Sequence, residues 1–311
     1  MPAEALVIVP TYNERDNLVP LAERILRLPG PVDLLVVDDN SPDGTGQIAD
    51  ELAAKHPSIH VLHRQEKNGL GRAYCAGFAW ALAQNYEFIL EMDGDFSHNP
   101  DDIPRFIAAA RDADLALGSR YCNGIRVINW PLNRLVLSLG AAQYVRIITG
   151  MRISDPTGGY KCFRRHALKS IDLEAVRSNG YSFQVELTHK LWRRGMKIVE
   201  VPIIFTDRFQ GTSKMSGAIM WEALFMVWRL LAQNGFRRSP RKSVSGARSA
   251  WSAGGPPATI PNARGHSSFS NAPLPAHAAA TEDDRAPTAP ENPRARSARE
   301  SESGRDSESA P

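Results

Sequence analysis

The chain has 311 residues, 42% hydrophobic and 23% charged, with a formal net charge of +3. That is globular composition, sized for one large or two small domains, and so small a charge argues against a nucleic-acid partner. Cys75, Cys122 and Cys162 are odd in number and lack metal-ligand spacing, so reduced thiols and a cytoplasmic location are expected.

No basic stretch precedes an apolar one at the amino end, so no signal peptide is expected. Ala5–Val9 is an apolar run of strand length, stopped by Pro10. A helix is predicted from Asn13 to about Leu28, closed by Pro29-Gly30. Leu34–Val37 reads as a second buried strand, followed by the turn-rich Asp38–Thr45 and a helix over Gln47–Lys55. Ile59–Leu62 is a third strand, Leu70–Asn85 a helix and Phe88–Met92 a fourth strand. A helix near Asp102–Arg111 and a strand at Leu115–Leu117 complete the alternation. Strands alternating with helices predict an α/β fold with a doubly wound, mostly parallel sheet.

In such a sheet, ligands sit outside the carboxyl ends of the strands. Three predicted ends carry Pro10–Glu14, Asp38–Asp43 and Asp93–Asp95, so three polar clusters far apart in sequence should line one crevice. Asp93-Gly94-Asp95 places two carboxylates one glycine apart beside a core. Unpaired carboxylates resist burial, and water, a basic partner or a hard cation must offset the cost. Asp-x-Asp at a strand end suits Mg2+ or Mn2+ shared with substrate phosphates; a solvated acidic turn is the plainer alternative for the motif taken alone. Two other nucleotide sites are excluded. The turn after the first strand, Pro10-Thr11-Tyr12-Asn13-Glu14, has no glycine, so it is not a dinucleotide fingerprint, and no Gly-x-x-x-x-Gly-Lys-Ser/Thr loop occurs. Lys67-Asn68-Gly69-Leu70-Gly71 is expected to shape a loop. Asp38 is expected to stabilise its turn, and His98 to serve its loop.

Taken together, Pro10-Thr11-Tyr12-Asn13-Glu14, Val37-Asp38-Asp39-Asn40-Ser41, Asp93-Gly94-Asp95 and Gly118-Ser119-Arg120-Tyr121 resemble the family 2 inverting glycosyltransferases of GT-A fold. Asp155-Pro156-Thr157-Gly158-Gly159-Tyr160 and Arg208-Phe209-Gln210-Gly211-Thr212-Ser213-Lys214 narrow the resemblance to the dolichol-phosphate (polyprenol-phosphate) mannose synthases, over about residues 4–235. The resemblance implies that Pro10, Tyr12, Glu14, Val37 and Asp39 hold a guanine nucleotide. It implies that Asp93, Gly94 and Asp95 hold the metal and the sugar diphosphate. Arg120, Arg208 and Lys214 would bind phosphate groups, and Arg134 and Ser138 the lipid phosphate. Asp93, Asp95 and Arg120 would be the catalytic set. One departure is Ser97. Some relatives carry Gln there as a metal ligand, and the shorter hydroxyl leaves a bridging water or a missing ligand open.

The implied substrates are GDP-mannose and a polyprenyl phosphate, with transfer by inversion. A UDP-sugar donor, or a nucleotide-binding membrane-associated protein without catalysis, are the alternatives. Trp130–Thr149 and Ala218–Gln233 are the most apolar stretches, and both read as helices. In the second, Glu222, Arg229 and Gln233 fall on one stripe at about 100° per residue, leaving a wide apolar face that includes Trp221 and Trp228. Neither stretch is long and apolar enough to span a bilayer, which takes about 20 residues. Helices lying on a membrane surface near residues 130–149 and 218–234 are expected, with ordinary core packing the alternative, the protein being peripheral on the cytoplasmic face. A membrane-anchored partner is the remaining route to anchorage. Residues 239–311 are rich in Pro, Ser and Ala, with Val244, Ile260, Phe269 and Leu274 as their only Val, Ile, Phe or Leu. Such a segment buries too little apolar surface to offset chain entropy, so a disordered tail is expected after a folded domain of 1–238.

Overall fold

The computed structural model describes residues 3–176, 178, 180–206, 217–233 and 235–236, with the backbone alone over 217–224. Arg208, Lys214 and the predicted 239–311 tail lie outside the described residues.

The predicted alternation is present: β1 (Ala5–Thr11), α1 (Arg15–Leu26), β2 (Val32–Asp38), α2 (Thr45–Lys55), β3 (Ile59–His63), α3 (Leu70–Ala83), β4 (Phe88–Glu91), α4 (Ile103–Arg111) and β5 (Leu115–Ser119). A two-residue strand β6 (Val127–Ile128) and α5 (Leu132–Thr149) follow. Then come β7 (Lys161–Arg164), α6 (Arg165–Lys169), α7 (Gly180–Arg193), β8 (Ile198–Pro202), β9 (Phe205–Thr206) and α8 (Gly217–Gln233).

Seven strands form one sheet in the order β3-β2-β1-β4-β7-β5-β8, while β6 and β9 pair separately. β1, β2, β3 and β4 run parallel, as do β5 and β8. β7 runs antiparallel between β4 and β5. The winding reverses between β1 and β4, because β2 and β3 extend to one side of β1 and β4 lies on the other. That reversal opens a crevice outside the carboxyl ends of these two strands.

Both faces of the sheet are covered, which explains why its strands read as apolar runs and not as alternating ones. Ala5, Val7 and Val9 of β1 join Leu18, Leu21 and Ile25 of α1 and Phe106 of α4 in one core layer. Leu6 and Ile8 face the opposite layer with Tyr74 and Phe78 of α3 and Phe183 and Leu187 of α7. A third cluster joins Val145 and Ile148 of α5, Val185 of α7 and Met226, Val227, Leu230 and Leu231 of α8. The predicted apolar face of the last helix therefore divides. Val227 and Leu231 are packed inside, while Phe225 and Trp228 remain 69% and 49% exposed.

Candidate active site

The crevice is built by tying the ends of β1 and β2 together. Thr11 Oγ1 donates to Asp38 Oδ1 at 3.0 Å, and the same carboxylate accepts from the backbone and hydroxyl of Ser41. Asp38 thus closes its turn, as expected of an Asx residue. Asn13 N donates to Ser41 Oγ and Glu14 N to Thr45 Oγ1, which lays the turn after β1 against the turn after β2. The Glu14 carboxylate accepts from Asn17 Nδ2 at 2.7 Å. Pro10 lies at the end of β1, partly exposed. Val37 sends its side chain into the α3 layer, wholly buried.

Tyr12 and Asp39 stand at one end of the crevice, and each faces a cation that the sequence reading did not assign to the site. Lys67 Nζ lies 3.5 Å from the Tyr12 ring centroid. Arg64 Nη1 lies 2.5 Å from Asp39 Oδ1. Burial pushes the Asp39 carboxyl upward and the Arg64 charge pulls it back, with a net rise. A sequence signal was available, since Arg64 follows the third strand as the other polar clusters follow theirs.

The acidic pair leaves β4 directly against the turn after β1. A Cβ on Gly94 would meet Val9 Cγ1 at 3.2 Å and Pro10 O at 3.8 Å, so glycine is what lets the two turns approach. Asp93 is held from below and beside. Tyr74 Oη donates to its Oδ1 at 3.2 Å, and its backbone N–H donates to His98 Nδ1 at 3.1 Å. Asp95 Oδ1 accepts the Ser97 N–H at 3.1 Å. Ser97 Oγ is buried with no hydrogen-bond partner among the described residues. An orphaned hydroxyl on the residue that bonds the Asp95 carboxylate is an oxygen that a cation, or a water bound to one, would satisfy. The described residues contain no group of three or more His, Cys, Asp or Glu able to enclose a metal. Two carboxylates and one hydroxyl are oxygen donors of the kind a hard cation takes, with room in its shell for a substrate's oxygens. His98 is buried and stacked on Tyr160 at 4.9 Å between centroids, and burial lowers its pKa. With Nδ1 accepting and the ring neutral, His98 supports the loop, as expected.

Because β7 runs backwards, its amino end arrives at the same edge and delivers the loop Asp155–Tyr160 into the crevice. A Cβ on Gly158 would come within 2.4 Å of Gly118 O, so this loop packs backbone to backbone on the end of β5. Arg120 follows β5 and is 5% exposed. Its Nε and Nη2 donate to Asp155 Oδ2 and Oδ1 at 2.6 and 2.7 Å, and Nη2 also reaches Thr157 Oγ1 at 2.8 Å. Burial opposes the Arg120 charge, but the Asp155 carboxylate outweighs it and holds the guanidinium above its ordinary value. Asp155 is the missed partner: its motif was legible, its pairing across 35 residues was not. Phe205 bridges this group to the acidic pair, with its ring centroid 5.5 Å from that of His98 and 5.6 Å from the Arg120 guanidinium carbon.

On α5, the Arg134 guanidinium carbon sits 4.2 Å from the Trp130 ring centroid, and Trp130 is also in contact with Arg120. Ser138 Oγ accepts from Tyr121 Oη at 2.7 Å. Pro10, Tyr12, Glu14, Asp39, Asp93, Gly94, Asp95 and Ser97 thus gather around the β1–β4 crevice. Arg120, Arg134 and Ser138 approach it through Phe205, Trp130 and Tyr121.

A sequence model described as Glycosyl transferase family 2 matches residues 6–172. Undecaprenyl-phosphate mannosyltransferase of Micrococcus luteus is 48% identical over 230 residues, which cover 73% of this chain and 95% of that protein. Polyprenol monophosphomannose synthase of Mycolicibacterium smegmatis is 52% identical over 224 residues, 71% of this chain and 84% of that one. Among solved structures, glucosyl-3-phosphoglycerate synthase of Mycobacterium tuberculosis shares the fold, with a TM-score of 0.53, 18% identity and coverage of 77% of this chain and 82% of that chain. With the family model spanning more than half of the residues, and relatives near half identity aligned over most of their own length, this chain belongs to glycosyltransferase family 2.

Proposed function

We propose that the protein transfers mannose from GDP-mannose to a polyprenyl phosphate with inversion, giving polyprenyl phosphate mannose and GDP. The observation that carries this reading is the close approach of Gly94, which separates Asp93 from Asp95, to Val9, Pro10 and Glu14, the residues on either side of the turn that carries Tyr12. The names of the relatives at 48% and 52% identity supply the acceptor class and the sugar.

The donor's base lies against Tyr12 and Asp39, and its diphosphate lies over Gly94. Asp93 and Asp95, with Ser97 Oγ directly or through a water, would hold Mg2+ or Mn2+. When bound, that ion offsets the negative charge growing on the departing GDP. The nucleophile is a phosphate oxygen already ionised near neutral pH, so no strong general base is required. His98 fits that economy, being buried and committed to the Asp93 backbone. In-line attack forms the new bond from phosphate oxygen to the anomeric carbon while the bond to GDP breaks, and the α-linked donor gives a β-linked product. Arg120, Arg208 and Lys214 bring the two anions together against their repulsion, Arg120 in a setting fixed by Asp155.

The acceptor enters from a lipid surface. Exposed Leu132, Val136 and Ile147 of α5 and Phe225 and Trp228 of α8 form its contact face. No helix among the described residues is long and apolar enough to cross a membrane. Arg134 and Ser138 receive the lipid phosphate. Tyr121, which holds Ser138, also lines a groove of about 390 Å³ with Ile125, Leu139, Ala142 and Arg146, a path for the first isoprenoid units. The protein is then peripheral on the cytoplasmic face. A donor panel of GDP-mannose, UDP-glucose and UDP-N-acetylglucosamine with one polyprenyl phosphate tests the reading. Transfer from GDP-mannose is expected; transfer only from a UDP-sugar, or from none, overturns it.

A further inference from the structure

At the base end of the crevice, Asp39 is paired with a cation, Arg64, that the reaction scheme leaves unused. Asp39 follows β2 and Arg64 follows β3. Backbone bonds fix both: Asp39 N donates to Thr11 O at 3.1 Å, and Arg64 N donates to Asp38 O at 2.8 Å. The backbones of both residues are therefore held by hydrogen bonds that continue the strand pairing. The guanidinium donates to Asp39 Oδ1, and the two side chains are only 15% and 6% exposed. Asp39 Oδ2 takes no hydrogen bond among the described residues. A carboxylate this buried, with one oxygen occupied by a fixed cation and one open, presents a rigid acceptor edge beside the Tyr12 ring.

We infer that Arg64 sets the base preference of the donor site: by holding Asp39 Oδ1, it turns the carboxylate edge toward a base that offers two adjacent N–H donors, as guanine does. The inference rests on the reading of the crevice as a GDP-sugar site. Guanine presents N1–H and the 2-amino group side by side, and both find acceptors on such an edge. Adenine presents an acceptor nitrogen at the same place, which leaves two lone pairs opposed in a dehydrated pocket. Sites with directed hydrogen bonds reject such mismatches far better than shape alone does. Without Arg64, the carboxylate is free to turn toward water or to take up a proton, and the edge is lost. Arg64 is thus a positioning residue that acts through Asp39.

The test is calorimetric titration of GDP and ADP into the full chain, with neither sugar nor acceptor present. The wild type is expected to favour GDP by about a hundredfold. Arg64→Met is expected to weaken GDP at least about tenfold while ADP changes less than about twofold, so the ratio collapses. Arg64→Lys keeps the charge without the forked geometry and is expected to restore part of the ratio. If Arg64→Met does not fold, Arg64→Lys carries the test alone, and its ratio must fall by at least about threefold. A purely structural role would weaken both nucleotides equally and leave the ratio untouched. A wild type that binds ADP as well as GDP overturns the donor reading, and this inference with it. A guanine-selective wild type whose selectivity survives both substitutions overturns the inference alone.

Discussion

At the scale of single residues, the site is a set of carboxylates, each given a different fate by its neighbours. Asp38 is consumed by Thr11 and Ser41, Asp155 by Arg120, and Asp39 in part by Arg64. Asp93 and Asp95 stand closest to the glycine that joins the two crevice turns. Asp93→Ala and Asp95→Ala are each expected to lower turnover at least about a hundredfold, since a held divalent ion contributes several kcal/mol to the transition state. Steady-state rates at saturating metal, with circular dichroism to verify folding, check this. A near wild-type rate in either variant removes the assignment. The identity of these residues was legible because a short motif carries their spacing. The Arg120–Asp155 and Asp39–Arg64 pairs were not, because a salt bridge between distant positions has no local signature. Only the rule that strand ends share one edge hints that such residues meet.

At the scale of elements, helix periodicity located α5 and α8 but did not say which apolar residues face the protein. α8 uses Met226, Val227, Leu230 and Leu231 against α5 and α7, and keeps Phe225 and Trp228 outside. Each exposed ring transferred from water to lipid contributes about 1.5–3 kcal/mol. Phe225→Ser combined with Trp228→Ser is therefore expected to lower co-sedimentation with vesicles containing anionic lipid at least about tenfold, while transfer to a short, water-soluble acceptor is retained. Unchanged vesicle binding would dismiss α8 as a contact face. α7 has a different vulnerability. His189 is buried on it, and burial, then the nearby Arg193 charge, lowers its pKa from 6.5 to about 4, against a smaller opposing pull from Glu186. Between those two values the unfolded chain binds a proton that the folded one refuses. Stability is full above about pH 6.5 and declines as pH falls toward 4, by about 3 kcal/mol in all. Urea unfolding at several pH values should show this slope in the wild type and a flatter one in His189→Gln. Equal slopes would place the acid sensitivity elsewhere.

At the scale of the whole molecule, the alternation of apolar strands and helices made the parallel half of the sheet legible, from β3 to β4. The antiparallel β7 was not, because it is four residues long and begins with a lysine that periodicity reads as surface. Lys161 is wholly buried. It donates to Glu91 Oε1 at 2.8 Å and also bonds Gln184 Oε1 of α7. Burial lowers the lysine and raises Glu91 to about 7, so each partner depends on the other to remain charged. Glu91 and Lys161 are register partners, and their bond fastens β4, the last strand of the parallel half, to the strand that carries the remainder of the sheet. Removing one partner strands the other in the core, which typically costs about 3–5 kcal/mol, whereas replacing both with apolar side chains is often neutral. Lys161→Met alone is thus expected to lose that amount, a large share of the roughly 5–15 kcal/mol that holds a domain folded. Lys161→Met with Glu91→Leu is expected to recover most of it. Urea titrations followed by circular dichroism measure both. If the double variant is no more stable than the single one, the pair is not what joins the halves, and the junction must rest on the apolar contacts of Phe163 and Ile89 in the layer beneath.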